Sequence, residues 1–193
     1  MTSEDELRRA LAEGLELGRT GQPEAAVGHL AALADGAPGS AWARFVLASE
    51  QAANGNIAAA EAQFEAALSC DPDFRIARYQ LGLLRLSSGR AEAAMQTWQP
   101  LLQAAGDDPY RQFVEGFRHL SEDRFVQALE AFEKGLATPV DNAAVWWDIR
   151  QVVEAVGVLG KTATAGGQGA GVDDSGSPDS VTAHVLLANY RRQ

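Results

Sequence analysis

The chain has 193 residues, 46% of them hydrophobic, which is enough for one domain or for a small repeat array with a tail. Its 26 acidic and 16 basic residues give a formal net charge of -10, which argues against a nucleic-acid partner because such proteins concentrate Lys and Arg on one face. Alanine and leucine are abundant and β-branched residues are sparse, so a mainly helical protein is expected.

The first residues, Met-Thr-Ser-Glu-Asp-Glu, are acidic and lack the apolar stretch of a secretory signal. No run of apolar residues approaches the length of a transmembrane helix. The single cysteine, Cys70, excludes an internal disulfide bond and leaves the redox compartment open. We therefore expect a cytoplasmic protein that does not insert into a membrane.

From Leu7 onward the chain has a period of 34 residues, with further rows starting at Ala41, Arg75 and Pro109. Columns 8 and 20 of the rows hold small residues, and column 24 holds a large apolar residue. These columns read Gly14, Ala48, Gly82 and Gly116; Ala26, Ala60, Ala94 and Ala128; and Leu30, Phe64, Trp98 and Phe132. Small residues let two helices approach closely, and the large residue, one turn from column 20, fills the space beside them.

Two kinds of helix breaker recur in the same period. Column 15 holds Gly21, Gly55, Gly89 and Asp123, and a glycine there ends a first helix in the left-handed conformation. Proline, glycine or aspartate clusters lie between the rows, at residues 37–39, 71–73, 107–109 and 139–141. Each row is therefore predicted to be a helix–turn–helix hairpin, with repeats at about 7–40, 41–74, 75–108 and 109–142.

This pattern resembles the tetratricopeptide repeat family. The resemblance covers residues 7–142 and implies an all-α fold, a right-handed superhelical array of hairpins. A first helix of a fifth row, residues 143–156, would be the closing helix that covers the last hairpin. Column 4 departs from the family, which often has Trp there. It holds Ala10, Arg44, Arg78 and Gln112, and only the fifth row keeps the aromatic residue, as Trp146.

The resemblance also implies that columns 2, 5, 6, 9, 12 and 13 line a concave groove. The peptide-binding residues predicted there are Leu11, Leu15, Trp42, Phe45, Ile76, Tyr79, Leu83, Tyr110, Phe113, Phe117, Trp147 and Gln151. They lack the Lys, Arg and Asn cluster with which family members hold a C-terminal carboxylate. An apolar or amphipathic segment of another protein is the expected ligand. The alternative is that these aromatic residues pack on each other as core.

The C-terminal part changes character. Residues 157–176 contain seven glycines and are predicted to be a flexible linker. Residues 177–193 are predicted to form a short helix, with Ser177 as its N-cap and Pro178 at its first position. Its apolar residues are Val181, Val185, Leu186, Leu187 and Tyr190. We expect this helix to occupy the groove of its own chain or, in a tail-swapped homodimer, of a neighbour; a disordered tail is the alternative.

Motifs that could carry catalysis are weak. Residues 155–162 satisfy a relaxed phosphate-binding loop that includes Lys161, but that chemistry needs a strand before the loop and a helix after it. Here a helix precedes the motif and the glycine-rich segment follows it, which opposes a nucleotide-dependent enzyme or switch. His29, His119 and His184 show no ligand spacing. The leading function is a non-catalytic adaptor, assembly factor or chaperone-like protein that uses no cofactor or metal.

Overall fold

The computed structural model describes residues 4–139 and 142–165, and the regular structure in this part of the chain is α-helical. Its helices are α1 (Glu4–Arg19), α2 (Pro23–Gly36), α3 (Ala41–Ala53), α4 (Ile57–Cys70), α5 (Arg75–Ser87), α6 (Ala91–Leu102), α7 (Pro109–Ser121), α8 (Phe125–Leu136) and α9 (Ala143–Ala165). Two helices therefore lie in each of the four predicted rows. The all-α fold class and the helix–turn–helix rows are confirmed.

The chain divides into two compact units, Met1–Leu84 and Arg85–Gln193. In the first unit, α1 packs against α2, α2 against α3, and α3 against α4. In the second unit, α6 packs against α7, α7 against α8, and α8 against α9. Within each unit these helices thus pack against their neighbours along the chain, which is the arrangement expected of stacked hairpins.

Close approach of the two helices of a hairpin depends on the small residues of column 8. A carbon added to Gly14 in α1 would lie 2.5 Å from Cδ2 of Leu30 in α2. The equivalent position in α7, Gly116, lies directly against the ring of Phe132 in α8. Because Leu30 and Phe132 are the large column-24 residues and are fully buried, the predicted pairing of columns 8 and 24 is confirmed in both hairpins.

The turn inside each row uses a left-handed residue, as predicted for column 15. The φ angles of Gly21, Gly55 and Gly89 are +79°, +77° and +74°. The fourth row has Asp123 at this position with φ +56°, and Asp is one of the few residues with a side chain that visits this region. The same turn geometry is therefore kept in all four rows, with three glycines and one aspartate.

Polar side chains fix where several first helices begin. Ser40 Oγ accepts a hydrogen bond from the Ala43 amide at 3.1 Å, which caps α3. Asp108 Oδ1 accepts one from the Arg111 amide at 3.0 Å, which caps α7. Asn142 Oδ1 accepts one from the Ala144 amide at 2.9 Å, which caps α9. These caps explain why α3, α7 and α9 start within one residue of the expected row boundaries.

The column-4 residues make a repeated contact with the preceding turn. Arg44 Nε donates to the Pro38 carbonyl at 3.4 Å, and Arg78 Nη2 donates to the Pro72 carbonyl at 2.6 Å. In the second unit Gln112 Nε2 donates to the Gly106 carbonyl at 2.6 Å. Each bond spans six residues, so the polar residues that replace the aromatic residue of the family each satisfy a carbonyl of the preceding turn.

The closing helix is longer than predicted. Helix α9 continues to Ala165, whereas the sequence interpretation ended it at residue 156 and began the flexible linker at 157. Between 157 and 165 the chain has only two glycines, Gly157 and Gly160. Four of the other seven residues are the good helix formers alanine, leucine and lysine, and the remaining three are valine and threonine. The start of the predicted linker is therefore corrected to beyond Ala165, and its remainder lies outside the described residues, as does the predicted helix 177–193.

Candidate functional site

The twelve predicted groove residues separate into two groups by burial. Eight are no more than 8% exposed: Leu11, Phe45, Ile76, Tyr79, Leu83, Tyr110, Phe113 and Phe117. Four are exposed: Leu15, Trp42, Trp147 and Gln151. A buried side chain cannot contact a ligand in this conformation. The prediction of direct ligand contact therefore applies to the four exposed residues, and the eight buried ones belong to the core.

Close packing explains why aromatic residues of the fourth row are buried. Phe117 stacks on Trp98 with ring centroids 5.9 Å apart and meets Phe132 edge-on at 5.0 Å. Phe113 lies against the backbone of Gly135 in α8, where an added carbon would be 2.5 Å from its Cε1. Small residues on the second helix thus make room for rings from the first helix. This packing agrees with the alternative interpretation of the sequence, in which these aromatic residues are part of the core.

The first unit carries an aromatic ledge formed by Trp42, Phe45 and Phe74. The Trp42 ring stacks on Phe45 at 5.2 Å with an interplanar angle of 28° and lies 5.7 Å from Phe74. Phe45 is buried and also contacts Phe64 at 5.9 Å. Trp42 nevertheless keeps 45% of its surface exposed. In the ledge, the Trp42 ring is therefore held by the buried ring of Phe45 and the half-buried ring of Phe74, and its remaining surface is open.

Phe74 was missed by the sequence interpretation because it lies in the turn before α5 rather than on a helix. Its amide donates to the Asp71 carbonyl at 3.2 Å, and its own carbonyl accepts from the Arg78 amide at 3.1 Å. The turn therefore holds its ring 5.3 Å from Phe45. An aromatic residue among the turn residues Asp71, Pro72 and Asp73 was the available signal.

A second exposed aromatic residue lies on α9. Trp147 is 59% exposed and meets the ring of Trp146 edge-on at 5.5 Å. The guanidinium carbon of Arg150 lies 4.8 Å from the centre of the Trp146 ring, a cation–π contact. Gln151 is exposed one turn after Trp147. This face of α9 is thus polar around one exposed tryptophan.

The second unit contains a polar recess between α7 and α8 with a volume of about 420 Å³. Its charged residues are Arg111, Glu115, Arg118, Glu130 and Lys134, and we call it the α7–α8 recess. Arg118 Nε donates to Glu115 Oε2 at 2.9 Å, so these two charges form an ion pair. None of the residues lining the recess belongs to the predicted groove, because they lie on other columns of the fourth row.

His119 also lines the recess, and its surroundings are electrostatically positive. Burial lowers the pKa of its imidazole below the ordinary value, and the guanidinium groups of Arg124 and Arg118 lower it further, in opposition to Glu115 and Glu130. Its Nδ1 is buried and has no hydrogen-bond partner among the described residues. The imidazole is therefore neutral at pH 7 and keeps one unused polar atom.

The weak catalytic motif does not have the geometry that it needs. Residues 155–162 lie inside α9, so the segment forms a helix rather than a loop between a strand and a helix. Within the described residues, no group of three or more His, Cys, Asp or Glu side chains could hold a metal ion. No helix in that part of the chain is long and apolar enough to cross a membrane. The predicted self-ligand residues Val181, Val185, Leu186, Leu187 and Tyr190 lie outside it.

Comparison with known proteins agrees with the repeat pattern. The sequence model of the Tetratricopeptide repeat family matches residues 51–112. No curated protein sequence matches the chain significantly.

The crystal structure of MamA is similar with a TM-score of 0.55 at 21% identity, covering 68% of this chain and 77% of that chain. MamA from residue 41 to its end, from Desulfovibrio magneticus RS-1, has a TM-score of 0.58 at 15% identity and covers 100% of this chain and 99% of that chain. The MamA RS-1 ArsTM double mutant has a TM-score of 0.57 at 16% identity, with 97% of each chain covered. These likenesses concern the fold.

Proposed function

We propose that this chain, whose residues 51–112 match the sequence model of the tetratricopeptide repeat family, is a non-catalytic adaptor or assembly factor that binds an apolar or amphipathic segment of another protein. The observation that supports this function best is the aromatic ledge. Trp42 is half exposed although its ring is held by Phe45 and Phe74. A rigid, partly exposed tryptophan loses little conformational freedom on binding and is a frequent binding hot spot.

The contribution of the ledge to affinity follows from its exposed area. Trp42 keeps 45% of its surface, which is roughly 110 Å² if a tryptophan side chain offers about 250 Å². Burying that area against an apolar partner stabilises a complex by about 2–3 kcal/mol at ~25 cal/mol per Å². Replacement by alanine is therefore expected to weaken binding by about 30- to 150-fold.

We further propose that the ligand surface is occupied, in the absence of a partner, by the tail helix 177–193. An isolated helix this short is marginal in water, and docking against the exposed ring of Trp42 would bury apolar surface of both. Docking in the same chain and docking in a neighbour, which gives a tail-swapped homodimer, are both compatible with this proposal. The cytoplasm is the expected location, which fractionation of the native cells followed by immunoblotting tests.

The experiment uses a fluorescein-labelled synthetic peptide with the sequence of residues 177–193. We expect it to bind a chain that ends at residue 176 more tightly than the full chain, because the intact tail competes for the same surface. Trp42→Ala weakens that binding in a chain that still shows the wild-type circular dichroism spectrum. Val126→Ala is the matched control, since Val126 is 67% exposed on α8 and is not a groove residue.

The outcomes separate the parts of the proposal. Equal effects of Trp42→Ala and Val126→Ala contradict the role of the ledge. Failure of the peptide to bind the shortened chain contradicts occupation by the tail. It does not contradict binding of a segment of another protein at the ledge. Light scattering of the full and the shortened chain distinguishes docking within one chain from a tail-swapped homodimer.

A further inference from the structure

The α7–α8 recess differs in charge from the rest of the chain. The formal net charge of the whole protein is -10. The recess, in contrast, is lined by three permanent cations, Arg111, Arg118 and Lys134, against the two carboxylates of Glu115 and Glu130. One net positive charge therefore remains in an open recess of about 420 Å³.

The positive charge of the recess is available for a ligand. Glu115 is committed to Arg118, with a contact of 2.9 Å. The guanidinium of Arg111 donates to the Ala104 carbonyl at 2.6 Å, a neutral acceptor that leaves its charge in place. Lys134 is exposed on α8 and forms no ion pair with the described residues. Two cations thus face one uncommitted carboxylate, that of Glu130.

The positive charge of the recess also acts on His119. His119 is partly buried beside Arg118 and Arg124, and the positive field that they produce at its ring outweighs that of the nearby glutamates. Its Nδ1 has no partner in the described structure. That atom is itself inaccessible, so His119 senses the charge of the recess and does not contact a ligand through Nδ1.

We propose that the α7–α8 recess is a binding site for a carboxylate side chain, Asp or Glu, presented by an acidic segment of a partner protein. A single carboxylate matches the one net positive charge of the site, and the guanidinium of Arg111 can donate two hydrogen bonds to it. A dianionic phosphate would leave a negative charge in the recess of an already acidic protein. This site is separate from the aromatic ledge and does not depend on the function proposed for it.

The net charge of the protein limits the strength of such binding. Acidic ligands are repelled at long range, but at about 0.15 M salt charges beyond roughly 8 Å are screened. At short range, a carboxylate ligand is therefore attracted by the cations that line the recess. Exposed ion pairs are individually weak, so removal of one cation is expected to change the dissociation constant by about two- to fivefold.

The test uses the full chain and a capped triglutamate peptide, with capped triglutamine as the uncharged comparison. Binding is followed through the imidazole Cε1–H NMR signals, and the signal of His119 is assigned by its loss in His119→Gln. We expect a saturable shift of the His119 signal with triglutamate and none with triglutamine. The signal of His29, which lies in the first unit, serves as the internal control and is expected not to move.

Variants on α8 test the location and the sign of the charge effect. Lys134→Gln is expected to weaken triglutamate binding and Glu130→Gln to strengthen it, each by about two- to fivefold. Glu133→Gln is the matched control, because Glu133 is exposed on the same helix and does not line the recess. It changes the net charge as Glu130→Gln does, and it is expected to leave binding unchanged.

Four results would overturn the proposal. They are the absence of a His119 shift, an equal shift with triglutamine, equal responses to Glu130→Gln and Glu133→Gln, and binding of inorganic phosphate as tight as that of triglutamate. Trp42→Ala is expected to leave triglutamate binding unchanged. The experiments therefore distinguish a wrong prediction about the ledge from a wrong prediction about the recess.

Discussion

Replacing Gly116 with alanine tests the close approach of α7 and α8, which is the packing feature most directly tied to the repeat pattern. Three atoms of the Phe132 ring, Cε1, Cδ1 and Cζ, would lie within 2.8 Å of the added carbon. Phe132 cannot move away easily because it is fully buried and meets Phe117 edge-on at 5.0 Å. Forcing an extra carbon into such a core costs about 1–3 kcal/mol, and overlap with three ring atoms points to the upper end.

The gain in helix propensity offsets only part of this cost. Alanine is favoured over glycine by about 1 kcal/mol inside a helix, so Gly116→Ala is expected to lower the free energy of unfolding by about 2 kcal/mol. Gly28→Ala is the matched control, since Gly28 lies inside α2 with open space around it. That substitution is expected to raise the free energy of unfolding by about 0.5–1 kcal/mol.

Urea denaturation followed by circular dichroism at equilibrium measures both changes. If the loss arises from contact with the ring, Phe132→Leu in the same chain reduces the effect of Gly116→Ala, and a double-mutant cycle gives the coupling. A Gly116→Ala chain as stable as the wild type would show that α7 and α8 can separate at little cost. The reasoning from columns 8 and 24 would then be refuted.

Three further predictions concern single residues. Arg78→Met removes the hydrogen bond to the Pro72 carbonyl and is expected to lower the free energy of unfolding by about 1 kcal/mol in urea, whereas an unchanged midpoint would contradict a stabilising role for that bond. Asp123→Val is expected to lower it by about 1–2 kcal/mol, because a β-branched residue is strained at positive φ, and Asp123→Gly is expected to cause no loss. The pKa of His119 is lower in the folded chain than in the unfolded chain, so the unfolded chain takes up more protons as the pH falls through about 6.5. The free energy of unfolding is therefore expected to decline from that pH until the folded pKa is reached. An equal decline in His119→Gln would contradict this assignment.

The 34-residue period was sufficient to place eight helices and their turns because the ends of helices and the turns between them depend on residues that are close together in the sequence. Gly21, Gly55 and Gly89 take the left-handed conformation that a first helix needs at its end, and Asp123 does the same in the fourth row. The end of α9 was misplaced because glycine density was read as a linker from its first glycine, Gly157. Single glycines within a helix cost only about 1 kcal/mol each, and Leu159, Lys161, Ala163 and Ala165 favour the helix.

The candidate site was less predictable because periodicity gives the direction of a side chain and not its burial. Phe113 is on a groove column, yet it fills the space left by Gly135 on α8, and no rule of spacing links those two positions. Phe74 lies on no helix, although it supports Trp42. The α7–α8 recess combines residues such as Arg111 and Lys134 that look like ordinary surface charges in the sequence. Only their meeting in three dimensions makes them a site.

The departures at column 4 illustrate how a mismatch with a family pattern can carry structural information. A bulky aromatic residue at that position would fill space, whereas Arg44, Arg78 and Gln112 each reach the carbonyl six residues earlier in the chain. The acceptor belongs to the turn that joins two rows, where the helical hydrogen-bond pattern has ended and a carbonyl needs another donor. The polar residues at column 4 are therefore explained by the junction between rows, and replacement of Arg78 or Gln112 by an aromatic residue would remove the side-chain donor to the Pro72 or Gly106 carbonyl.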